Sequence, residues 1–386
     1  MGIRFHPEVR IFFPLTPIGF GIQTRPRFLL CWLVMSIKTQ KNDAKDAAKP
    51  PADDYSRLGR DLLSSMLRLM VRARTLEERL IKMSKSGEGF FWIGGPGEES
   101  FNVPLGLQVL KGRGTAHDYL HLHYRSSAIL MAMGAGMADT MRQMRALSTD
   151  PYSRGRNFVN HVAIPEWNVV PMCPTIEVQY STAIGTAIAQ KRDGGKGVTI
   201  VNGGDAGTAE GDFHSCLVWA NRPVLPLPIL AIVVNNGYGI STEASGQHGE
   251  RAISDWAKVF DMPGRTINGN DPVASYRAIE EALSYCRMER KPYLLEARTS
   301  RLYGHSSASG ANRIQEPDCI ALFETELLKR GLLSESEQAA IRAEAQAECE
   351  EAYQKTKGEP PPSPDDVWTA AFASGLPSSY PTKGGS

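Results

Sequence analysis

The apolar side chains outside the centre of the chain recur with the period of a helix. From Asp61 to Leu80 they return at steps of three and four residues, and Gly87 then supplies a stop. A second helix is predicted after the capping box formed by Ser334–Glu337, and it ends near Gly358. The chain therefore has helical segments before and after its central part.

The centre of the chain alternates between strand and helix patterns. Continuous apolar runs predict strands at Gly197–Val201, Ile229–Val234 and Tyr293–Ala297, with helices at Asp212–Ala220 and Pro272–Arg287 between them. The first two strands are joined by a connection long enough for a crossover, so we expect them to be parallel neighbours. The predicted fold class is α/β, a doubly wound and mostly parallel sheet with helical additions at both ends.

Three segments are predicted along the chain. Residues 1–54 form a start extension and flexible arm, 55–358 a single α/β domain that includes the C-terminal helices, and 359–386 a tail rich in proline and glycine. The apolar runs of the first segment are shorter than the roughly 18–20 residues that span a bilayer, and prolines separate them. Met35 is a candidate alternative start, and a targeting role for the residues before it stays open.

Composition narrows the classes of partner. Of the 386 residues 42% are hydrophobic, and Lys+Arg 43 against Asp+Glu 42 leaves a net charge of +1. This balance gives no electrostatic reason to expect nucleic acid or an anionic membrane as a partner. The six cysteines lie far apart without a CxxC pair, so we expect reduced thiols and a cytoplasmic location.

Polar loops follow each of the three predicted strands. Asp205 lies in a glycine-rich loop after the first strand, Asn236 and Tyr238 follow the second, and His305 follows the third. Because the carboxyl ends of parallel strands meet at one edge of a sheet, we expect these loops to lie together. A carboxylate, an amide oxygen and a backbone carbonyl suit Mg²⁺ shared with phosphate oxygens, while glycines let backbone approach a phosphate.

The motifs in these loops resemble a known family. Gly204-Asp205-Ala206-Gly207, followed by Asn235-Asn236, resembles the thiamine diphosphate signature, which opens with Gly-Asp-Gly and closes about thirty residues later with Asn-Asn. The surrounding segments are similar to the alpha subunit of the decarboxylating component of 2-oxo acid dehydrogenase complexes, the branched-chain (2-oxoisovalerate) type above all. These segments are residues 210–214, 235–242, 269–271 and 303–307. The similarity extends over about residues 55–370.

The resemblance implies a set of site residues. Asp205, Asn236 and the Tyr238 carbonyl would hold Mg²⁺, and His305 would contact the diphosphate and serve acyl transfer to the lipoyl group. Arg125 would grip the diphosphate with its forked donors, next to Tyr124. The implied cofactor-binding residues are Tyr124, Arg125, Ile176, Asp205, Ala206, Gly207, Asn236 and His305.

The resemblance also implies an activity and partners. The family performs thiamine-diphosphate-dependent oxidative decarboxylation of 2-oxo acids, with the cofactor as electron sink. A beta subunit would supply the catalytic glutamate in an assembly of two alpha and two beta chains, and a lipoyl-bearing acyltransferase core would accept the acyl group. A branched-chain 2-oxo acid is the expected substrate, with pyruvate or acetoin as alternatives.

Four departures from the family pattern stand near the site. Ala206 replaces the second glycine of the signature, which would cost about 1 kcal/mol or more if the turn required positive φ. Val234 stands where the branched-chain type often has arginine, and Glu177 stands where small residues are usual. Residues 306–313 lack the acidic pair typical of the phosphorylatable loop, so regulation through its serines stays open.

Other classes of function have weaker support in the sequence. Three nearby histidines suggest zinc, but no further ligand follows at a diagnostic spacing; they are His117, His121 and His123. Residues 94–97 lack the Lys-Ser/Thr of a P-loop, and no GxGxxG motif surrounds Gly203. A scaffolding subunit with a relic cofactor site remains the non-enzymatic alternative.

Overall fold

The computed structural model of the chain describes residues 54–249 and 252–367, so the predicted arm before residue 54 and the end of the predicted tail lie outside it. The helices are α1 (Asp54–Ser86), α2 (Glu99–Gln108), α3 (Ser127–Ala132), α4 (Met137–Met144), α5 (Val178–Arg192), α6 (Gly211–Ala220), α7 (Trp256–Val259), α8 (Pro272–Glu289), α9 (Cys319–Lys329) and α10 (Glu335–Lys357). The strands are β1 (Tyr119–His121), β2 (Thr199–Gly204), β3 (Asn221–Arg222), β4 (Leu225–Pro226), β5 (Ile229–Asn235), β6 (Tyr238–Gly239), β7 (Thr242–Glu243), β8 (Gly264–Asn268) and β9 (Tyr293–Arg298).

Five of these strands form a central sheet in the order β1-β2-β5-β9-β8. All four pairings are parallel, and β2 and β5 are neighbours, which confirms the prediction for this pair. The strand β2 lies further along the chain than predicted, since residues 202–204, expected in a loop, continue the ladder with β5. Two short antiparallel pairs, β3-β4 and β6-β7, lie outside this sheet.

Successive side chains of a strand point to opposite faces of the sheet, and here both faces are apolar. Helices therefore cover both faces. On one face Ile200 and Ile232 pack in a core with side chains of α2, α3 and α8. On the other face Val201 and Val233 pack with Tyr180 of α5 and side chains of α6. The doubly wound α/β fold is therefore confirmed.

A third core joins the helices at the two ends of the described chain. The apolar face of α1, from Leu63 to Met83, is buried with side chains of α9 and α10. Four arginines of α1 also pair with glutamates of α10: Arg60 with Glu337, Arg68 with Glu344, Arg72 with Glu348 and Arg79 with Glu350. The helical additions and the Ser334 capping box are as predicted, although α1 starts at Asp54 and is interrupted at Gly59 by φ 75°.

Two strands of the sheet, β1 and β8, had no firm counterpart in the sequence prediction. The strand β1 includes His121, so the nearby histidines do not share a helix face. Both ring nitrogens of His121 lie near threonine hydroxyls, at 3.1 Å from Thr182 and 2.9 Å from Thr186. Within residues 54–249 and 252–367 no three or more His, Cys, Asp or Glu side chains are arranged to hold a metal ion.

Within the same ranges no helix combines the length and the apolar character needed to cross a bilayer. The five cysteines found there are free thiols, four of them buried.

Candidate functional site

The loops that follow four neighbouring strands meet at one edge of the sheet. Asp205 follows β2, Asn236 follows β5, and the segment with His305 follows β9. The strand β1, at the other side of β2, leads into Tyr124 and Arg125. Because all four strands run in the same direction, their carboxyl ends deliver these side chains to one place.

Asp205 and Asn236 are adjacent and buried. The Asn236 backbone N–H donates to Asp205 Oδ1 at 3.4 Å, and the two residues are 1% and 7% exposed. The other carboxylate oxygen, Asp205 Oδ2, is buried and has no hydrogen-bond partner in the described part of the chain. Burial raises the pKa of Asp205. A buried, unpaired carboxylate oxygen is unfavourable unless a cation or a donor occupies the space in front of it.

Asn236 also contacts the turn at Tyr238 and lines a cavity. Its side-chain Oδ1 accepts from the backbone N–H of Tyr238 at 3.2 Å, which brings the third predicted ligand residue beside the first two. Asn236 lines a cavity of about 400 Å³ together with Asn235 and His248. The three residues predicted to hold a metal ion are thus brought together, and Asn236 among them lines the cavity.

Arg125 and His305 form the second group at this edge. The Arg125 Nη2 group donates to His305 Nδ1 at 3.0 Å, and its Nη1 group donates to the Gly94 carbonyl. The ring of Tyr124 lies beneath the Arg125 guanidinium at 5.3 Å and 6.0 Å from the His305 ring. Arg125 and His305 come from segments 180 residues apart, and the parallel sheet brings them together.

Main-chain hydrogen bonds fix the loops of this second group. The backbone N–H of His123 donates to Asn202 Oδ1 at 2.9 Å, which ties the loop after β1 to β2. The backbone of Ser307 donates to the Trp92 carbonyl at 2.8 Å, and the Trp92 backbone donates to Ser307 Oγ at 3.1 Å. Trp92 itself is fully buried.

Three histidine rings gather around Tyr124, of which sequence reasoning assigned only His305 to the site. The His123 ring lies 3.7 Å from the Tyr124 ring and the His161 ring 6.1 Å from it. Burial first, and then the charge of Arg125, hold the pKa of His123 well below its usual range. These rings are therefore neutral and line the site without adding positive charge.

Glu98 links the two groups, and sequence reasoning missed it. Its carboxylate accepts from the Asn236 side-chain amide at 3.3 Å and lies 3.9 Å from Arg125 Nε. Burial raises the pKa of Glu98 to about 7, against the opposing effect of Arg125. Because Glu98 accepts from the amide nitrogen of Asn236, the amide oxygen of Asn236 points away from Glu98. The only signal in the sequence is a glutamate just before α2.

Arg301 is a second buried cation near the site, also unassigned by the sequence. Its Nη1 group donates to the Ile240 carbonyl at 2.8 Å, and its guanidinium lies 4.7 Å from the centre of the Tyr238 ring. The Nε atom is buried without a hydrogen-bond partner in the described ranges. Burial and the charge of Arg125 lower the pKa of Arg301. Two neighbouring arginines with spare donors can accommodate an anion such as a diphosphate.

The remaining residues named from the sequence are Ala206, in the turn after β2, Ile176, just before α5, and Val234, in β5. Ala206 follows Asp205 and has no positive φ, so the backbone penalty considered for alanine does not arise. A Cβ built on Gly239 would lie 2.6 Å from the Ala206 Cβ, so the alanine methyl packs against the loop after β5. Ile176 is 43% exposed, just before α5, and Val234 is buried in β5.

Glu177, a departure from the family pattern, is buried beneath the Asp205 loop. Its carboxyl group lies against Gly203 and Gly207, and Oε2 accepts from the side chain of Gln179 at 3.4 Å. Burial, together with the charges of Asp205 and other acids, raises the pKa of Glu177 to about 8.

Comparisons with known proteins identify the family of the chain. The family model described as "Dehydrogenase E1 component" matches residues 67–365. The chain is 29% identical over 317 residues to the "2-oxoisovalerate dehydrogenase subunit alpha" of Bacillus subtilis (strain 168), which covers 80% of this chain and 94% of the relative.

Two further relatives show the breadth of the similarity. The mitochondrial "2-oxoisovalerate dehydrogenase subunit alpha" of Homo sapiens is 26% identical over 335 residues, covering 83% of this chain and 73% of the relative. The "Pyruvate dehydrogenase E1 component subunit alpha" of Bacillus subtilis (strain 168) is 27% identical over 325 residues, covering 82% and 81%.

The environment of His305 leads to a first prediction. Burial, with added repulsion from Arg125 and Arg301, lowers the pKa of His305 to about 4. We therefore expect an NMR titration of the His305 ring to show a midpoint near 4. Between that value and the ordinary pKa of about 6.5, the unfolded chain binds more protons, so His305 lowers the free energy of unfolding as the pH falls through this range.

The Arg125→Met variant should raise the titration midpoint of His305 towards the ordinary value, because the nearest cation is removed. Arg265→Met is a matched control, since Arg265 lies on the edge strand β8 and pairs with Glu281 of α8, and it should leave the midpoint unchanged. A midpoint near 6.5 in the unsubstituted protein would contradict the described contact.

Proposed function

The chain belongs to the dehydrogenase E1 component family, and on this basis we propose that it is the alpha subunit of a thiamine-diphosphate-dependent 2-oxo acid dehydrogenase, with a branched-chain 2-oxo acid as substrate. The observation that carries the proposal is the pairing of Asp205 with Asn236 beside Arg125 and His305. The relatives named 2-oxoisovalerate dehydrogenase subunit alpha, which support the substrate, include a bacterial and a human protein.

The residues at the edge of the sheet fit a metal-bound diphosphate. The unpaired Oδ2 of Asp205 faces no donor in the described residues, which suits a divalent cation. The amide oxygen of Asn236 and the carbonyl of Tyr238 would complete the oxygen ligands for Mg²⁺. Arg125 and Arg301 would hold the phosphate oxygens, and Ala206 and Gly207 would lie along the diphosphate. The bound cofactor supplies an electron sink for decarboxylation.

The side chains around the diphosphate have separate tasks. Ile176 is exposed, and would support the ring end of the bent cofactor through its apolar side chain. Tyr124 stacks beneath Arg125 and keeps the guanidinium in place. Glu98 accepts from the side-chain amide of Asn236 and holds it in one orientation, in which the amide oxygen would be available to the metal.

His305 is proposed as the catalytic residue of this chain. Its Nδ1 accepts from Arg125, so the proton of the neutral ring is on Nε2. That N–H is available to orient and protonate a group during acyl transfer to a lipoyl arm. Burial first, and then repulsion from Arg125 and Arg301, lowers the pKa of His305, so the ring, once protonated, gives up its proton readily.

The proposal includes partners that complete the site. A beta subunit would supply the glutamate that ionises the cofactor, in an assembly of two alpha and two beta chains, and a lipoyl-bearing acyltransferase core would take the acyl group. Pyruvate is the alternative substrate favoured by a specific observation, the similarity to a pyruvate dehydrogenase alpha subunit. The scaffolding alternative has no support, because Asp205, Asn236, Arg125 and His305 are present and adjacent.

Activity should require the partner. We expect the purified chain alone to show no decarboxylation, and the chain mixed with its beta subunit to be active on 2-oxoisovalerate more than on pyruvate or acetoin. The assay measures CO₂ release with an artificial electron acceptor. Equal rates for the single chain and the pair would contradict the shared site, and preference for pyruvate would overturn the substrate assignment.

Removal of the proposed metal ligand should abolish cofactor binding. We expect the Asp205→Ala variant, in the complex with the beta subunit, to lose Mg²⁺-dependent binding of thiamine diphosphate by at least about 100-fold, since Asp205 is the charged one of the three proposed protein ligands. Titration calorimetry measures this loss. The control Asp255→Ala removes an exposed carboxylate that pairs with Lys258 and should bind like the parent. An unchanged titration for Asp205→Ala would refute the ligand assignment.

Replacement of His305 should separate the two half-reactions. We expect His305→Ala to slow lipoyl acylation by about 10²–10⁴-fold, the usual contribution of a general acid or base. Decarboxylation assayed with an artificial electron acceptor should fall much less, because it does not need the proton of this ring. Similar losses in both assays would argue against a role in acyl transfer.

A further inference from the structure

Glu177 stands directly before α5 in a conformation that glutamate rarely adopts. Its φ of 65° and ψ of 0° lie in the left-handed region, which is strained for any residue with a Cβ. The side chain is 1% exposed, and its Oε1 has no hydrogen-bond partner within the residues described. Backbone strain and a buried unpaired oxygen are both unfavourable, and together in one residue they indicate a role beyond starting the helix.

The carboxyl group of Glu177 fills a notch formed by two glycines. A Cβ built on Gly203 or on Gly207 would collide with Glu177, whose atoms are the three nearest neighbours in both cases. Neither glycine has a positive φ, so their backbone conformations are open to alanine. The presence of Glu177 is therefore the reason why these two positions have no room for a side chain.

The notch lies on both sides of Asp205. Gly203 belongs to the end of β2, and Gly207 belongs to the 3-10 turn at Ala206–Ala209 that follows Asp205. The direct contact between Asp205 and Asn236 is a long hydrogen bond of 3.4 Å. The position of the Asp205 carboxylate thus depends on how the loop rests on the Glu177 side chain beneath it.

The surroundings of Glu177 disfavour the charged form of its carboxyl group. Burial raises its pKa to about 8, and Asp205, Asp212 and Glu210 act in the same direction. The groups with the largest effect on this pKa are these three acids and the Gly204 backbone, with no arginine or lysine among them. Its shape and hydrogen bonds, which glutamine can reproduce, therefore matter more than its charge.

We propose that Glu177 is a positioning residue for the metal-binding loop. Its carboxyl group, held in the notch between Gly203 and Gly207, fixes the position of the Asp205 carboxylate relative to Asn236. This inference rests on the proposed function, because that function assigns Asp205 to the divalent cation. Glu177 itself touches neither the cation nor the reacting atoms.

The test is a double-mutant cycle between Glu177 and Gly207 in the complex with the beta subunit. Titration calorimetry with thiamine diphosphate and Mg²⁺ gives the dissociation constant, and thermal unfolding of the cofactor-free complex reports folding. We expect Glu177→Gln to bind within about threefold of the parent, and Glu177→Ala or Gly207→Ala to bind about tenfold more weakly or worse. The double variant should recover most of the affinity, because the new methyl group fills the space left by the carboxyl group.

Two controls separate this effect from general damage. Gly185→Ala adds a methyl group to α5 where nothing lies within 4 Å, and Glu324→Ala removes another buried carboxyl group, in α9. Both should bind the cofactor like the parent.

The proposal is overturned if Glu177→Ala is folded and binds normally, if Glu177→Gln is as weak as Glu177→Ala, or if the double variant shows the sum of the two single losses. Failure of the parent complex to bind thiamine diphosphate with Mg²⁺ would instead refute the proposed function.

Discussion

The parallel pairing of β2 with β5 is the constraint on which the site depends. Its register places Gly204 opposite Val234, so the residues that follow the two strands emerge side by side. Asp205 then lies within reach of the Asn236 backbone. A shift of one residue would reverse which side chains face the site, and Asn235, whose amide donates to Glu296 at 2.8 Å, already has a different task. Burial of both faces of the sheet prevents such a shift.

Around this pair the protein keeps charges that are costly to bury. Arg125 and Arg301 are both 6% exposed, yet Glu98 lies at 3.9 Å from Arg125 and has a raised pKa, so it compensates only in part. On the opposite side Asp205 retains a free oxygen. A ligand that brings a cation to the carboxylate and an anion to the guanidinium groups satisfies both. The same arrangement that is unfavourable when empty is therefore suited to a metal-bound diphosphate.

Long apolar runs made the sheet predictable, and short or mixed segments did not. The strand predicted to begin at Ile229 and the one predicted to begin at Tyr293 start where expected. The three residues of β1 include a histidine and give no recognisable period. Asp205 and Asn236 could be placed together because parallel neighbours share an edge. Glu98 and Glu177 could not be assigned, since nothing in a sequence distinguishes a buried glutamate whose partners come from distant loops.

The contact between α1 and α10 has a consequence for biosynthesis. Arg60 and Glu337 are separated by 277 positions, and the apolar face of α1 is covered in part by α10. At translation rates of about 5–20 residues per second, α1 leaves the ribosome on the order of tens of seconds before α10. During that interval the part of the apolar face of α1 that α10 covers has no partner on the nascent chain, where a chaperone can bind it. Completion of this core is thus a late event, after synthesis of the sheet.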